Sequence, residues 1–225
     1  MAGRLIESDP QTAFAHAEAA RRRASRLPIA REASAETAYA AGEYAHALNE
    51  YRALRRMTGS TEYLPVMADC ERALGRPQQA LKIAKEAADQ DLTLETKAEM
   101  VIVEAGARDD LGQRDEARRL LRAAVMGTRR PAVSAARLRY AFAEMLMADG
   151  DQAEARRLLV EAAELDPEGE TGAVERLDEL DGMIIDFDDF DDPDDPDDPD
   201  DPEHSAEPAD HDRTGDVDDT TDRNA

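Results

Sequence analysis

The chain has 225 residues, enough for one medium domain or two small ones, and 28 Lys and Arg against 52 Asp and Glu give it a net charge of −24. From Asp186 onward there are 19 acidic and 2 basic residues, net −17, which leaves net −7 for residues 1–185, so the sequence divides into a folded body and an acidic tail. With 42 alanines, no Trp and only 4 % aromatic residues, an all-β sandwich is excluded. No run of about 18 apolar residues exists to span a membrane.

The first residues set a puzzle. Arg4, Glu7 and Asp9 interrupt any apolar leader, and Arg4-Leu5-Ile6-Glu7-Ser8-Asp9-Pro10 reads as the last turn of a helix with an Asp-Pro stop, which would place Met1 inside a repeat. Residues 11–26 follow as an Ala- and Arg-rich helix, expected to pair with a helix over 29–41. From there a repeat governs the chain. Gly42, Gly75, Gly112 and Gly150, spaced by 33, 37 and 38 residues, each have Ala seven residues before (Ala35, Ala68, Ala105, Ala143) and five after (Ala47, Ala80, Ala117, Ala155). Nine residues past each glycine stands Tyr51, Ala84, Leu121 or Leu159, and Leu54, Ala87, Ala124 and Ala162 continue the stripe at helical spacing.

Each unit therefore reads as helix, glycine turn, helix. Glycine adopts the left-handed conformation past a helix end without strain, Pro77 suits the first position of a second helix, and alanine on both sides lets antiparallel helices approach closely. One pair cannot bury its apolar face alone, so the pairs must stack. The units are expected over about 28–59, 61–92, 98–130 and 136–167, with the longer intervals taken up by longer loops around Thr58 to Thr61, Asp89 to Thr96 and Gly127 to Val133. After Pro167, Val174, Leu177 and Leu180 suggest a capping helix over 171–182.

On these residues the chain resembles the tetratricopeptide repeat family. Gly150 to Ala163 followed by Glu164-Leu165-Asp166-Pro167 matches the second half of that motif, and Gly42-Glu43-Tyr44-Ala45-His46-Ala47-Leu48 matches it too. Leu92 replaces the closing proline of the second unit, and the large aromatic usual early in the first helix is absent. The resemblance covers roughly residues 10–167 and implies an all-α fold, a right-handed superhelical stack of antiparallel helix pairs whose first helices line a concave face.

Carrying over the family's groove positions names candidates in each unit. They are Ile29, Glu32, Glu36 and Tyr39; then Glu62, Pro65, Asp69 and Arg72; then Glu99, Ile102 and Asp109; then Arg137, Tyr140, Glu144 and Met147. The set is mainly acidic with interleaved apolar residues, which suits a basic or amphipathic protein segment. It lacks the Lys, Arg and Asn clamp with which some members hold a C-terminal carboxylate.

Nothing in the chain advertises catalysis. His16 and His46 sit in Ala-rich helical contexts, and Cys70 between Asp69 and Glu71 has neighbours that raise a thiol pKa. Zinc-ligand spacings and phosphate loops are missing, so no enzyme activity, small-molecule substrate, cofactor or metal is expected. A lone cysteine fits a reducing compartment, and the cytoplasm is the expected location. RNA bound by the Arg-rich second helices (Arg52, Arg55, Arg56, Lys82, Lys85, Arg118, Arg119, Arg122, Arg156, Arg157) is the alternative, disfavoured by a body of net −7; those cations are also expected to be able to receive the acidic tail. A second copy docking on the N-terminal end of the stack is a further expected route to an oligomer.

The tail repeats Asp-Asp-Pro over Asp188 to Pro202, a composition that repels itself and buries almost nothing, so disorder is expected over 186–225. It lacks the spacing of a calcium loop. Met183 to Phe190 places five large apolar residues among carboxylates, which reads either as a docking motif or as the end of the cap.

Overall fold

The structure is a computed structural model and describes residues 2–127 and 132–182. Among these residues every regular element is a helix. A short α1 (Ala2–Leu5) leads into α2 (Pro10–Arg23), α3 (Pro28–Ala40), α4 (Tyr44–Thr58), α5 (Leu64–Ala73), α6 (Pro77–Ala88), α7 (Leu94–Asp110), α8 (Arg114–Met126), α9 (Ala132–Ala148), α10 (Gln152–Leu165) and α11 (Ala173–Asp181). Helices α3/α4, α5/α6, α7/α8 and α9/α10 form the four glycine-marked pairs, α2 precedes them against α3, and α11 closes on α10.

The four glycine turns share one geometry. Gly42, Gly75, Gly112 and Gly150 have φ of 77°, 71°, 74° and 82°, in the left-handed region that a Cβ disfavours. In each turn the residue after the glycine returns its N–H to a carbonyl five residues earlier: Glu43 to Ala38 at 2.8 Å, Arg76 to Glu71 at 2.8 Å, Gln113 to Arg108 at 2.8 Å and Asp151 to Leu146 at 2.9 Å. That bond satisfies a carbonyl the ending helix would otherwise leave orphaned. Proline opens α2, α3 and α6, where its missing N–H costs nothing. The side chains of Asp9, Thr93 and Asp151 accept N–H groups at the starts of α2, α7 and α10.

Both alanine sets lie where the helices of a pair meet. Ala35, Ala68, Ala105 and Ala143, with Ala47, Ala80, Ala117 and Ala155, are all buried at 1 % exposure or less. Around them the core forms three clusters that follow the stack. One holds Leu48, Tyr51 and Leu54 with Met67 and Cys70; the next Leu64, Leu92 and Met100; the last Leu121, Leu138, Phe142, Leu146, Leu158 and Leu159. Each cluster draws on more than one helix pair, so each pair completes its neighbour's core.

Two expectations are corrected here. The segments 59–63 and 89–93 are equal in length, so the longer second interval does not lengthen its loop, and most of the third expected loop, Gly127 to Val133, lies outside the described residues. The extra residues go into the first helices, 10 residues in α5 but 17 in each of α7 and α9. A helix absorbs an insertion with its hydrogen bonds intact, whereas a longer loop would expose unpaired backbone. The second correction concerns the cap: Val174 is 48 % exposed, and the stripe of α11 that packs on the core is buried Ala173 with half-buried Leu177 and Leu180, spaced i, i+4, i+7.

Leu92, standing where the family's closing proline would be, is buried between the second and third pairs. In the fourth unit Asp166 of the Asp-Pro pair is buried and accepts the N–H and the hydroxyl of Thr171, each at 2.7 Å, which lowers its pKa and ties the turn into α11. The tail, its Asp-Asp-Pro repeats and Met183 to Phe190 lie outside the described residues.

Candidate functional site

First helices α3, α5, α7 and α9 face one concavity. A cavity of about 490 Å³ takes Tyr39 from α3, Pro65, Val66, Asp69 and Arg72 from α5, and Glu95, Thr96, Glu99, Ile102 and Val103 from α7, with Glu62 and Arg137 at its rim. A second, of about 260 Å³, continues it along α9 through Tyr140 and Ala141 to Glu170 and Thr171 before α11. Ile102 and Arg137 line both, so the two form one run across the stack.

Of the residues expected from the sequence, the structure brings together Tyr39, Glu62, Pro65, Asp69, Arg72, Glu99, Ile102, Arg137 and Tyr140. Glu32 and Glu36 lie nearer the start of α3 and outside both cavities; Glu32 accepts the Tyr63 hydroxyl at 2.8 Å. Burial and the nearby Glu32 raise the Glu36 pKa. Ile29 is 68 % exposed at the helix start. Asp109, Glu144 and Met147 are occupied elsewhere: Asp109 by Arg114 at 2.8 Å, Glu144 by Arg176 of α11 at 2.8 Å, and Met147 by the core of the last pairs. Glu95 and Thr96 were not among the expected residues. They come with the extra turns of α7, which begins four residues before the expected start of its unit at 98. The cap that Thr93 makes with the Thr96 N–H is the signal that marks this start.

Much of the acidic charge is matched inside the groove. The Tyr39 hydroxyl donates to Asp69, Asp69 accepts from Arg72 at 3.0 Å, and Arg72 reaches Asp110 of α7 at 2.9 Å, a chain of contacts across three helix pairs. Burial, then the bond to Asp69, holds the Tyr39 phenol above its ordinary range. Arg137 grips Glu99 through two nitrogens at 2.7 and 2.9 Å. Glu62 and Glu95 in the first cavity and Glu170 in the second have no basic partner within 4.0 Å among the described residues, and they carry the groove's net negative charge.

Gly106 has a specific part in this chain. It lies inside α7, and a methyl added there would sit 2.6 Å from Arg72 Nη1, so the missing side chain is the notch that lets Arg72 cross to Asp110. Gly106→Ala is expected to leave stability within about 1 kcal/mol, because the gain in helix propensity offsets the displaced ion pairs. In an Arg72→Ala background the same change is expected to stabilise by about 0.5–1 kcal/mol. Urea unfolding of the two single variants and the double variant measures this; equal effects in both backgrounds would refute the notch.

The second-helix cations are engaged in a different way. Arg52 meets Glu71 at 2.6 Å, Arg118 meets Asp149 at 2.9 Å, Arg156 meets Asp181 at 2.8 Å, and Arg55 meets Glu86, each joining one helix pair to the next element of the stack. Arg157 pairs with Glu161 and Arg119 with Glu116 within their own helices. Cys70 is buried, and burial followed by Asp69 and Glu71 pushes its thiol up to about 12. His46 Nε2 lies 3.1 Å from both Glu18 and the Ser34 hydroxyl, a structural contact between α2, α3 and α4. Among the described residues no group of three or more His, Cys, Asp or Glu is placed to hold a metal ion, and no helix is long and apolar enough to cross a membrane.

Antiparallel pairs closed by glycine turns and stacked so that their first helices share a concavity define a helical-repeat solenoid. The fold is that of tetratricopeptide repeat proteins: over 76 % of this chain it is similar to the crystal structure of a thermophilic protein of that kind from Thermus thermophilus. The TM-score is 0.54, the identity 23 %, and 89 % of that chain is covered, a likeness of fold. No family model matches the sequence, and no curated protein matches it.

Proposed function

We propose that the chain is a protein-interaction module that acts by binding and not by catalysis, and that its concave groove takes a basic or amphipathic segment of a partner protein. The observation that carries this is the continuous run of cavities across α3, α5, α7 and α9, with Ile102 and Arg137 common to both. Tyr39, Ile102 and Tyr140 supply apolar seats, while Glu62 and Glu95 supply charge that steers a basic segment in. The acidic tail, net −17, is a modulator that competes for the same basic partners.

Peptides selected by display against the full-length protein test this. The enriched sequences are expected to combine Lys or Arg with a large apolar residue and to bind more weakly as salt rises. Glu62→Lys with Glu95→Lys is expected to raise Kd by about tenfold or more, read by fluorescence anisotropy. Replacing the tail aspartates by Asn in the full chain is expected to tighten binding. Affinity unchanged by the double reversal would remove the groove from the reading.

A further inference from the structure

A second cleft lies on the opposite side of the helices. It has a volume of about 500 Å³, lies between α4 and α6, and is lined by Arg52, Arg55, Arg56, Met67, Ile83 and Glu86. That volume admits one large side chain with its flanking backbone.

Its chemistry is the reverse of the groove's. Arg52, Arg55 and Arg56 stand at i, i+3 and i+4 of α4, so three guanidinium groups share one face of that helix. Arg52 is held by the buried Glu71, and Arg55 by Glu86 on the far wall. Arg56 is exposed and meets no carboxylate within 4.0 Å among the described residues. Further along the stack Arg118 and Arg156 each reach a carboxylate of the next element, whereas Arg56 reaches none among the described residues. The floor is apolar: Met67 is 4 % exposed, and Ile83 packs against the cores on either side of it.

From this juxtaposition of an arginine rim and an apolar floor we infer that the α4–α6 cleft is a second binding site, for an acidic peptide segment of a partner protein carrying one large apolar residue. The segment's carboxylates take Arg56 and share Arg55 with Glu86, and its apolar side chain sits over Met67 and Ile83. A guanidinium donates to two carboxylate oxygens at once, which favours a carboxylate-bearing chain at such a rim. The floor selects peptide over nucleic acid, because the lining holds no aromatic ring on which a base could stack. The site is independent of the concave groove, and the protein would then hold two segments of opposite charge on opposite sides.

The test uses the full-length protein and a labelled synthetic peptide of alternating Asp and Glu around one central Phe. The expected result is saturable binding that weakens when the Phe becomes Ala or the acids become Asn and Gln. Arg56→Glu, at an exposed position, is expected to raise Kd by about tenfold, and Arg55→Gln to raise it by a smaller factor. Glu62→Lys with Glu95→Lys leaves this binding intact, which separates its outcome from that of the groove. Unchanged Kd in both arginine variants, with melting curves confirming their fold, would overturn the site. A single-stranded RNA oligomer that binds more tightly with the same arginine dependence would overturn the peptide in favour of nucleic acid. Self-association that Arg56→Glu abolishes in sedimentation would instead assign the cleft to a second copy and equally overturn it.

Discussion

Phe142→Ala is expected to destabilise the protein by about 3–5 kcal/mol, the largest single-residue effect in the structure. Phe142 is the largest fully buried side chain and is 2 % exposed. It packs in the cluster that joins α7/α8 to α9/α10, and the Arg122 guanidinium covers its ring at 5.8 Å from the centroid. Deleting the ring removes its transfer energy and leaves a cavity that rigid helices on either side close only in part. In a stack whose stability is close to a sum over neighbouring pairs, that loss falls at one interface. The protein has no Trp, and four of its five tyrosines, Tyr39, Tyr44, Tyr51 and Tyr63, lie in or beside the first two pairs. Tyrosine fluorescence therefore reports one end while far-UV circular dichroism reports the whole. In urea the variant is expected to lose part of its dichroism before its tyrosine signal. Coincident transitions shifted by less than about 1 kcal/mol would show that the stack does not divide there.

The reverse change, Ala143→Leu, is expected to cost about 1–3 kcal/mol by overpacking. Ala143 is fully buried in α9, seven residues before Gly150, where α9 and α10 approach. The added carbons force the helices apart or drive the leucine off its rotamers, and the shift reaches the Asp151 to Leu146 bond of the turn. Ala153→Leu, at an exposed position of α10, serves as the control, with an expected change within about 0.5 kcal/mol. The comparison by thermal unfolding separates packing at the alanine seam from a general intolerance of leucine. A small cost at Ala143 would mean that the spacing of glycine and alanine reflects composition and not close approach.

The glycines and alanines were legible because their roles are local. A positive φ and a close helix crossing each demand a small residue at one position, and four recurrences make that demand visible. Helix length was less legible. The expected loops at Asp89 to Thr96 turned partly into helix because Thr93 caps α7 and Leu92 is drawn into the core, contacts decided by neighbours distant in sequence. Glu95 and Thr96 entered the cavity for the same reason. In the cap, Val174 and Ala173 compete for the buried stripe, and the orientation of α11 against α10 settles it for alanine.

The charge of the groove shows the division most clearly. The sequence by itself determined the repeat, the turn positions and the buried alanine seams, because periodicity sets which face of a helix a residue occupies, while the groove candidates came from the family resemblance and nine of them line the cavities. It could not say which carboxylates remain without a basic partner. Arg72 reaches Asp110 only because Gly106 leaves room, Arg176 holds Glu144 only because α11 folds back, and Arg114 holds Asp109 across a turn. Ion pairing depends on distances of a few ångströms between separate helices, and only the tertiary structure brings those helices together.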